Sequence, residues 1–494
     1  MNRFNHARAR SAVALAAFLS ATAAHAGAFG IREQSATAQG ESFAGVAAGS
    51  GGLSSMFWNP ATITMTPGIQ SEAHGSVIIP YANIEPDFAT RGEIARLGST
   101  VIPVPPTGPL AGRLGSFGPF GSAPFDSGNI GQTTLVPSSY SSYQLSDRLW
   151  VGLSVNGPFG LITKADPFWA GQVYGRSSRL FTLNATPTVG VKLTDWLSIG
   201  AGVQVQYIDV ALSRAVPAPI GLSTFQRNAL LAGGATLAQI NQLNASIAGL
   251  TAVSLLAPSG RITGDDIGVG YTLGATLTPW AGTEIGVGFR SSIHHELEGK
   301  ITPALGIVEP VRAPVNLPEI VTVGLSQQVG AQWKLVAGYE WSNWSRIKDI
   351  PIVSKIDGEV ETTLNFRYRD GHFYSLGAEY QWSPWFALRA GVAYEVSPIT
   401  DRTRSVNIPD NDRVWASIGA SYKVSEKLSV DASYSHIFVK NAPVRLVPGN
   451  PQFVDPLLFT GGTKPTVDIV SLAIKYRWDN PRVAIPADAI VRKY

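Results

Sequence analysis

Segments of alternating hydrophobicity recur through the last three quarters of the chain, separated by short polar turns or longer loops. The clearest runs from Gln332 to Trp341. Trp333, Leu335, Ala337, Tyr339 and Trp341 fall on one face, and Gln332, Lys334, Val336, Gly338 and Glu340 on the other. Strand side chains alternate with period two, so this is a strand with one apolar and one mostly polar face. In 385–396, Phe386, Leu388, Ala390, Val392 and Tyr394 oppose Arg389 and Glu395. In 428–436, Leu428, Val430, Ala432 and Tyr434 oppose Ser429, Asp431, Ser433 and Ser435, and 196–207 alternates likewise. Such a sheet must cover its apolar face with either a protein core or lipid.

Composition favours lipid. Charged residues make up 15% of the 494-residue chain and mean hydropathy is +0.10, yet no run of about 18 apolar residues exists beyond the extreme N-terminus. High apolarity without a spanning helix points to a β-barrel, whose signal is spread over many alternating strands. The polar face carries charges and the apolar face ends in Tyr and Trp. A charge facing lipid at mid-bilayer costs about 2–4 kcal/mol, so lipid belongs outside. The alternatives are a soluble barrel and a large secreted β-protein.

Residues 1–26 read as a secretory signal. Arg3, Arg8 and Arg10 precede the apolar stretch Ser11–Ala24, and Ala24-His25-Ala26 supplies a small–x–small cleavage pattern. Removing three arginines leaves 35 basic against 35 acidic residues, a balance that gives no reason to expect a nucleic-acid partner. The chain has no Cys, which excludes disulfides, thiolate metal sites and a Cys nucleophile.

Six short turns sit between alternating runs: 146–148, 194–196, 278–282, 329–332, 383–385 and 425–427. Trp150, Trp196, Trp280, Trp333, Trp382 and Trp385 lie beside them, as in an interfacial aromatic belt. The turns define an all-β, 14-stranded antiparallel barrel over 69–478. Its strands are expected at 69–82, 133–146, 149–159, 178–193, 196–211, 262–278, 283–299, 318–329, 332–345, 369–382, 385–396, 412–424, 428–440 and 466–478. Short turns at one end and long loops at the other suit a bacterial outer-membrane barrel, with the turns periplasmic. Residues 27–68 are Gly-rich, with apolar points at Phe29, Phe43, Phe57 and Trp58, and are expected as a plug inside the barrel. Residues 479–494 form a tail, so the aromatic barrel-assembly signal lies internally at Tyr476 or Trp478. Loop 84–130 is rich in Pro and Gly and is expected over the barrel mouth. In loop 212–261, Leu237, Ile240, Leu243, Ile247 and Leu250 have helical spacing. That helix either packs on other loops or lines an apolar ligand groove.

Four stretches in order resemble the outer-membrane long-chain fatty acid transporter family, FadL-like, which includes TodX-like aromatic-hydrocarbon channels. They are Trp58-Asn59-Pro60-Ala61-Thr62-Ile63-Thr64, Leu149 to Leu161 with Phe159-Gly160-Leu161, Leu317-Pro318-Glu319 opening the eighth strand, and Ile408 to Trp415 opening the twelfth. The resemblance runs from about Gly27 to Trp478. It implies a monomeric barrel in outer-membrane lipid and lipopolysaccharide. A hatch carrying Asn59, Pro60 and Ala61 would plug it. Extracellular capture of a hydrophobic ligand would be followed by lateral exit at the kinked third strand, with no cofactor or energy source. The residues agree: Gly157-Pro158 interrupts the strand, Pro158 has no N–H for the ladder, and Gly160 leaves space unfilled. The alternative for Gly157, Pro158, Phe159 and Gly160 is a simple bulge.

Candidate ligand contacts are Phe43, Phe57 and Trp58 of the plug. Arg389, with nearby lumen lysines, is the candidate partner for a fatty-acid carboxylate. A long-chain fatty acid is the first expectation for the ligand, and an aromatic hydrocarbon, which needs no cation, the second. An outer-membrane acyl hydrolase would need a Ser–His pair, but adjacent Ser435 and His436 point to opposite faces. A diffusion porin would want a charged constriction loop, whereas 212–261 is apolar. His294-His295-Glu296 lacks metal-ligand spacing.

Overall fold

The computed structural model describes residues 28–89, 94–97, 100–103, 126–166, 169–215, 231, 234–242, 259–302, 308–454 and 458–480. The expected signal peptide 1–26, most of loops 84–130 and 212–261, and the tail beyond 480 lie outside the described residues.

The described strands close into a 14-strand antiparallel barrel. In chain order they are β1 Ile69–Tyr81, β2 Thr134–Ser146, β3 Leu149–Asn156 continued by Gly160–Lys164, β4 Ser177–Lys192, β5 Leu197–Ala215, β6 Ser259–Trp280 and β7 Thr283–Arg290 continued by Ile293–Thr302. β8 is Glu309–Leu317 continued by Ile320–Val329, followed by β9 Trp333–Ser342, β10 Gly371–Ser383, β11 Phe386–Val396, β12 Arg413–Lys423, β13 Leu428–Val439 and β14 Thr466–Arg477. β1 pairs with both β2 and β14, which leaves no free edge.

Burial alternates along the strands as period two requires. On β1, Glu72, His74, Ser76 and Ile78 are buried inside, while Ile79 and Tyr81 are exposed outside. On β13, Asp431, Ser433 and Ser435 face in, and Val430 and Tyr434 face out. Trp196, Trp280, Trp333, Trp382 and Trp385 are exposed near the short turns, where a belt needs them. Trp150 departs from the expected belt. It points inward, is buried, and donates its indole N–H to the Thr66 carbonyl at 3.0 Å, because its position in β3 has lumen parity.

Several boundaries differ from the sequence reading. β5 runs on to Ala215 and β6 starts at Ser259, which shortens the 212–261 loop; residues 237–242 within it are helical. β3 does not end at Phe159 but resumes at Gly160. Leu317-Pro318-Glu319 does not open the eighth strand; it divides it, with Glu309–Leu317 preceding. Directly alongside, β7 is divided at Ser291-Ser292: Arg290 pairs with Ile320 and Ile293 with Leu317, so the two interruptions are in register. Proline cannot donate to a ladder, and a neighbour broken at the same level preserves pairing on either side.

Residues 28–66 are almost wholly buried within the barrel. They form a short helix Ala36–Gln39, capped by the Ser35 hydroxyl, and three 3₁₀ segments, Val46–Ala48, Gly52–Phe57 and Pro60–Met65. This hatch lies on a glycine lane in the inner wall. Gly190 faces Gly200, Gly200 faces Gly274 and Gly274 faces Gly288; further round, Gly286 faces Gly324 and Gly324 faces Gly338. A methyl at Gly286 would overlap the Ala47 carbonyl, one at Gly288 the Trp58 carbonyl, and one at Gly391 the backbone of Glu41. The wall is bare where hatch backbone touches it.

Candidate functional site: the wall break and the segment that closes it

β3 loses its ladder at Gly157-Pro158-Phe159, and hatch backbone takes over the lost bonds. The Ile31 N–H donates to the Pro158 carbonyl at 2.8 Å, and the Gly160 N–H donates to the Phe29 carbonyl at 2.8 Å. The Gln34 side-chain amide donates to the Gly157 carbonyl at 2.7 Å. On the β4 side, the Thr182 hydroxyl accepts from the Phe159 N–H at 3.0 Å and donates to its carbonyl at 2.7 Å. Residues 29–31 therefore act as a short strand laid across a gap that β3 cannot close itself.

Aromatic rings seal the same place. Phe29 meets Trp344 edge-on with centroids 4.8 Å apart, and Phe159 meets Trp344 at 5.9 Å. The leading backbone is tied to the loop before β12: the Ala28 N–H donates to Asp410 at 3.1 Å, and Asp410 also accepts from the Ser397 hydroxyl at 2.6 Å and pairs with Arg413. Burial pushes the Asp410 carboxyl up, but Arg413, Ser397 and the Ala28 amide together hold it below the usual carboxylate range. Arg32 pairs with Glu340 at 2.7 Å, approaches Glu395 at 3.7 Å, and lies over the Phe373 ring at 3.7 Å. Between these groups remains a cavity of about 40 Å³, bordered by Ile31, Phe57, Trp58, Phe159, Arg290 and Trp344 among others. That is room for a water or two, so a larger guest requires the hatch segment to move.

Lower in the barrel the hatch is bolted to the wall. Asn59 caps Pro60–Met65 by accepting from the Ala61 N–H at 3.0 Å; its amide donates to the Ala47 carbonyl at 2.6 Å and, on β6, to the Ala275 carbonyl at 2.9 Å. Pro60 suits the first helical position because no partner is needed there for its missing N–H. Glu72 accepts from the backbone N–H groups of Leu53 and Ser54 at 3.2 and 3.1 Å, and Asp431 accepts from the Thr37 hydroxyl at 2.6 Å.

The family model for outer membrane protein transport proteins (OMPP1/FadL/TodX) matches residues 17–477. The chain belongs to this family. Among curated relatives, the long-chain fatty acid transport protein of Escherichia coli O6:H1 is 25% identical over 450 residues, covering 86% of this chain and 91% of the relative. Outer membrane protein P1 of Haemophilus influenzae is 24% identical over 444 residues, covering 88% and 90%. The crystal structure of a Pseudomonas aeruginosa FadL homologue superposes with a TM-score of 0.73 at 21% identity, covering 92% of this chain and all of that one. The Ralstonia pickettii toluene transporter TbuX superposes at 0.56 with 17% identity, over 91% of this chain. Membership makes the chain an outer-membrane transporter of hydrophobic compounds.

In this FadL-family barrel the sequence-derived residues separate into groups. Gly157, Pro158 and Phe159 form the break itself, Gly160 opens the resumed strand opposite Phe181, and Phe57 and Trp58 reach the cavity that Pro158 and Phe159 border. Phe43 does not border it; its ring packs on Trp58 and Trp415 at 5.8 and 6.0 Å. Asn59, Pro60 and Ala61 hold the hatch rather than the gap. Arg389 also lies outside the cavity. It pairs with Glu379 at 2.6 Å and approaches Glu41 and Asp431, each at 3.9 Å, so its charge is already met within the barrel, chiefly by Glu379 and Asp431. Sequence reading missed Trp344, Arg290 and Asp410. Asp410 sat inside a motif quoted for the resemblance, but its contact with Ala28 spans 382 residues and leaves no local pattern.

Proposed function

We propose that this chain admits long-chain fatty acids passively through the outer membrane, as a monomer, and releases them sideways through the β3 break after residues 29–31 withdraw. The observation that carries the reading is the closure of that break by hatch backbone rather than by wall. Two main-chain hydrogen bonds and an aromatic cluster hold it, contacts that can be exchanged without unfolding the barrel. A dry lateral route suits a greasy guest, for which a water-filled pore provides no favourable surroundings. The relatives named for fatty-acid transport, aligned over most of both chains, support the choice of cargo.

The reading favours a carrier over an acyl hydrolase. Ser435 faces the lumen and shares a hydrogen bond with Ser417 at 2.8 Å, while His436 pairs with Asp468 at 2.7 Å. Growth of a deletion strain on oleate and on toluene tests the cargo. Loss of growth on oleate alone, restored by this chain, is expected. Loss on toluene alone would assign an aromatic hydrocarbon, and normal growth on both would refute transport of either. Low steady conductance in planar bilayers is expected of the plugged barrel, and a large conductance would indicate a diffusion pore.

A further inference from the structure

Arg290 ends the first half of β7, at the step where β7 and β8 are interrupted, and only 5% of it is exposed. Its guanidinium lies 4.2 Å from the Phe57 ring centroid and donates to the Phe57 carbonyl at 2.9 Å and to the Gln204 side-chain oxygen. Turning the Asn184 amide would bring a third neutral oxygen to 3.1 Å. The other deeply placed arginines, Arg32, Arg389, Arg404 and Arg413, each pair with a carboxylate. Among the described residues, Arg290 has no carboxylate within 4.0 Å. A buried cation is normally paired, because neutral oxygens replace its hydration only in part.

The cavity that Arg290 borders has an apolar side of Ile31, Phe57, Trp58, Phe159 and Trp344 next to the β3 break, and a polar side that includes Arg32, Glu340, His372 and Glu395. Its two acids are already engaged: Glu340 by Arg32, and Glu395 by Arg32 at 3.7 Å and Arg413 at 3.8 Å. The site thus combines an apolar, aromatic wall with one cation that no carboxylate of the described residues contacts.

We propose that Arg290 receives the carboxylate of the transported molecule, with the apolar chain lying among Phe57, Trp58, Phe159 and Trp344. This rests on the transport reading above and adds the residue that recognises the cargo's charged end. The partner to be displaced is informative. Phe57 belongs to the hatch, and a carboxylate binds a guanidinium through two charge-assisted bonds where a carbonyl makes one neutral-acceptor bond. Cargo arriving at Arg290 therefore competes with the hatch for the same donors, and binding is coupled to loosening of the plug.

The test compares radiolabelled oleate with radiolabelled methyl oleate, which has the same chain and no charge, on the purified full chain in dodecyl maltoside. Wild type is expected to bind oleate at least tenfold more tightly than the ester. Arg290→Gln should bring oleate and ester binding to within twofold of each other, and Arg290→Lys should keep most of the preference. Retention of the compact form in unheated electrophoresis checks that each variant barrel is folded. Oleate preference surviving in Arg290→Gln, or lost equally in Arg290→Lys, would overturn the assignment while leaving fatty-acid transport standing. Failure of wild type to bind oleate would overturn both.

Discussion

The amide of Ile31 donates to the carbonyl of Pro158 at 2.8 Å, joining the hatch to the one stretch of β3 that cannot complete its own ladder. The plug and the wall are thereby one hydrogen-bonded unit at this point. Movement of the leading hatch residues would break this bond and the matching one from Gly160 to Phe29.

Asn59 secures the hatch through a cap and two bonds to carbonyls, one of them on β6. Asn59→Ala should weaken docking by about 1–3 kcal/mol, since the Ala47 carbonyl would be left buried without this donor. Faster amide hydrogen exchange across 46–65 and higher conductance in planar bilayers are expected. Unchanged exchange would show that the glycine lane alone holds the plug.

Gly286 lies against the Ala47 carbonyl, and any side chain there has to push hatch backbone aside. Gly286→Val should cost about 1–3 kcal/mol, the usual range for overpacking. The barrel should persist while residues 28–66 become accessible to protease. A hatch as protected as in wild type would contradict the close packing.

Arg389 joins Glu379, Glu41 and Asp431 in a buried network. Arg389→Met should destabilise the protein by about 3–5 kcal/mol, because it strands carboxylates in the lumen. Thermal unfolding should fall accordingly, with the preference for oleate over methyl oleate retained. Loss of the preference without loss of stability would restore Arg389 as a ligand contact.

Burial pushes the carboxyls of the hatch residues Glu33 and Glu41 up to about 7. Arg32, Arg413 and Glu395 surround the first, and Lys334, Arg389 and Glu379 the second. Beyond its own main-chain N–H, the Glu33 carboxyl finds no hydrogen-bond donor among the described residues. The docked state thus holds protons that a released, hydrated hatch gives up at the ordinary value of 4.5. Docking should be strongest below about 4.5, weaken as pH rises to about 7, and level off above it. Hydrogen exchange of the hatch measured from pH 4.5 to 8 should show this loosening, and Glu33→Gln should flatten part of it. Tighter docking at higher pH would contradict the burial of neutral carboxyls.

Period-two alternation in segments such as 428–436 made the barrel legible, because lipid outside and a polar lumen inside impose unlike faces on every strand. The β3 break was legible too, since Pro158 removes a donor wherever it stands. The extended β5 and β6 ends were not, because strands that rise above the membrane no longer need an apolar face. Trp150 misled for a related reason: an aromatic beside a turn looks the same from sequence whether it serves the belt or the hatch. The glycine lane was visible as lumen-parity glycines in 196–207 and 332–341, but its meaning depends on cross-strand register. Arg290 carried no local signal. Its significance lies in which carboxylates are absent around it, and that is set by residues far apart in the chain.

Gly30 and Phe159 face each other across the break as an antiparallel pair, flanked by the two bonds that join hatch to wall. The Cα atoms of such a non-hydrogen-bonded pair lie about 4.5 Å apart, within disulfide range. The chain has no Cys of its own, so Gly30→Cys with Phe159→Cys gives a single, clean crosslink. Oleate uptake by cells carrying this double variant, measured oxidised and after reduction, tests lateral release most directly. Uptake blocked when oxidised and restored by reduction is the result expected. Equal uptake in both states, with the crosslink confirmed, would contradict exit through the β3 break.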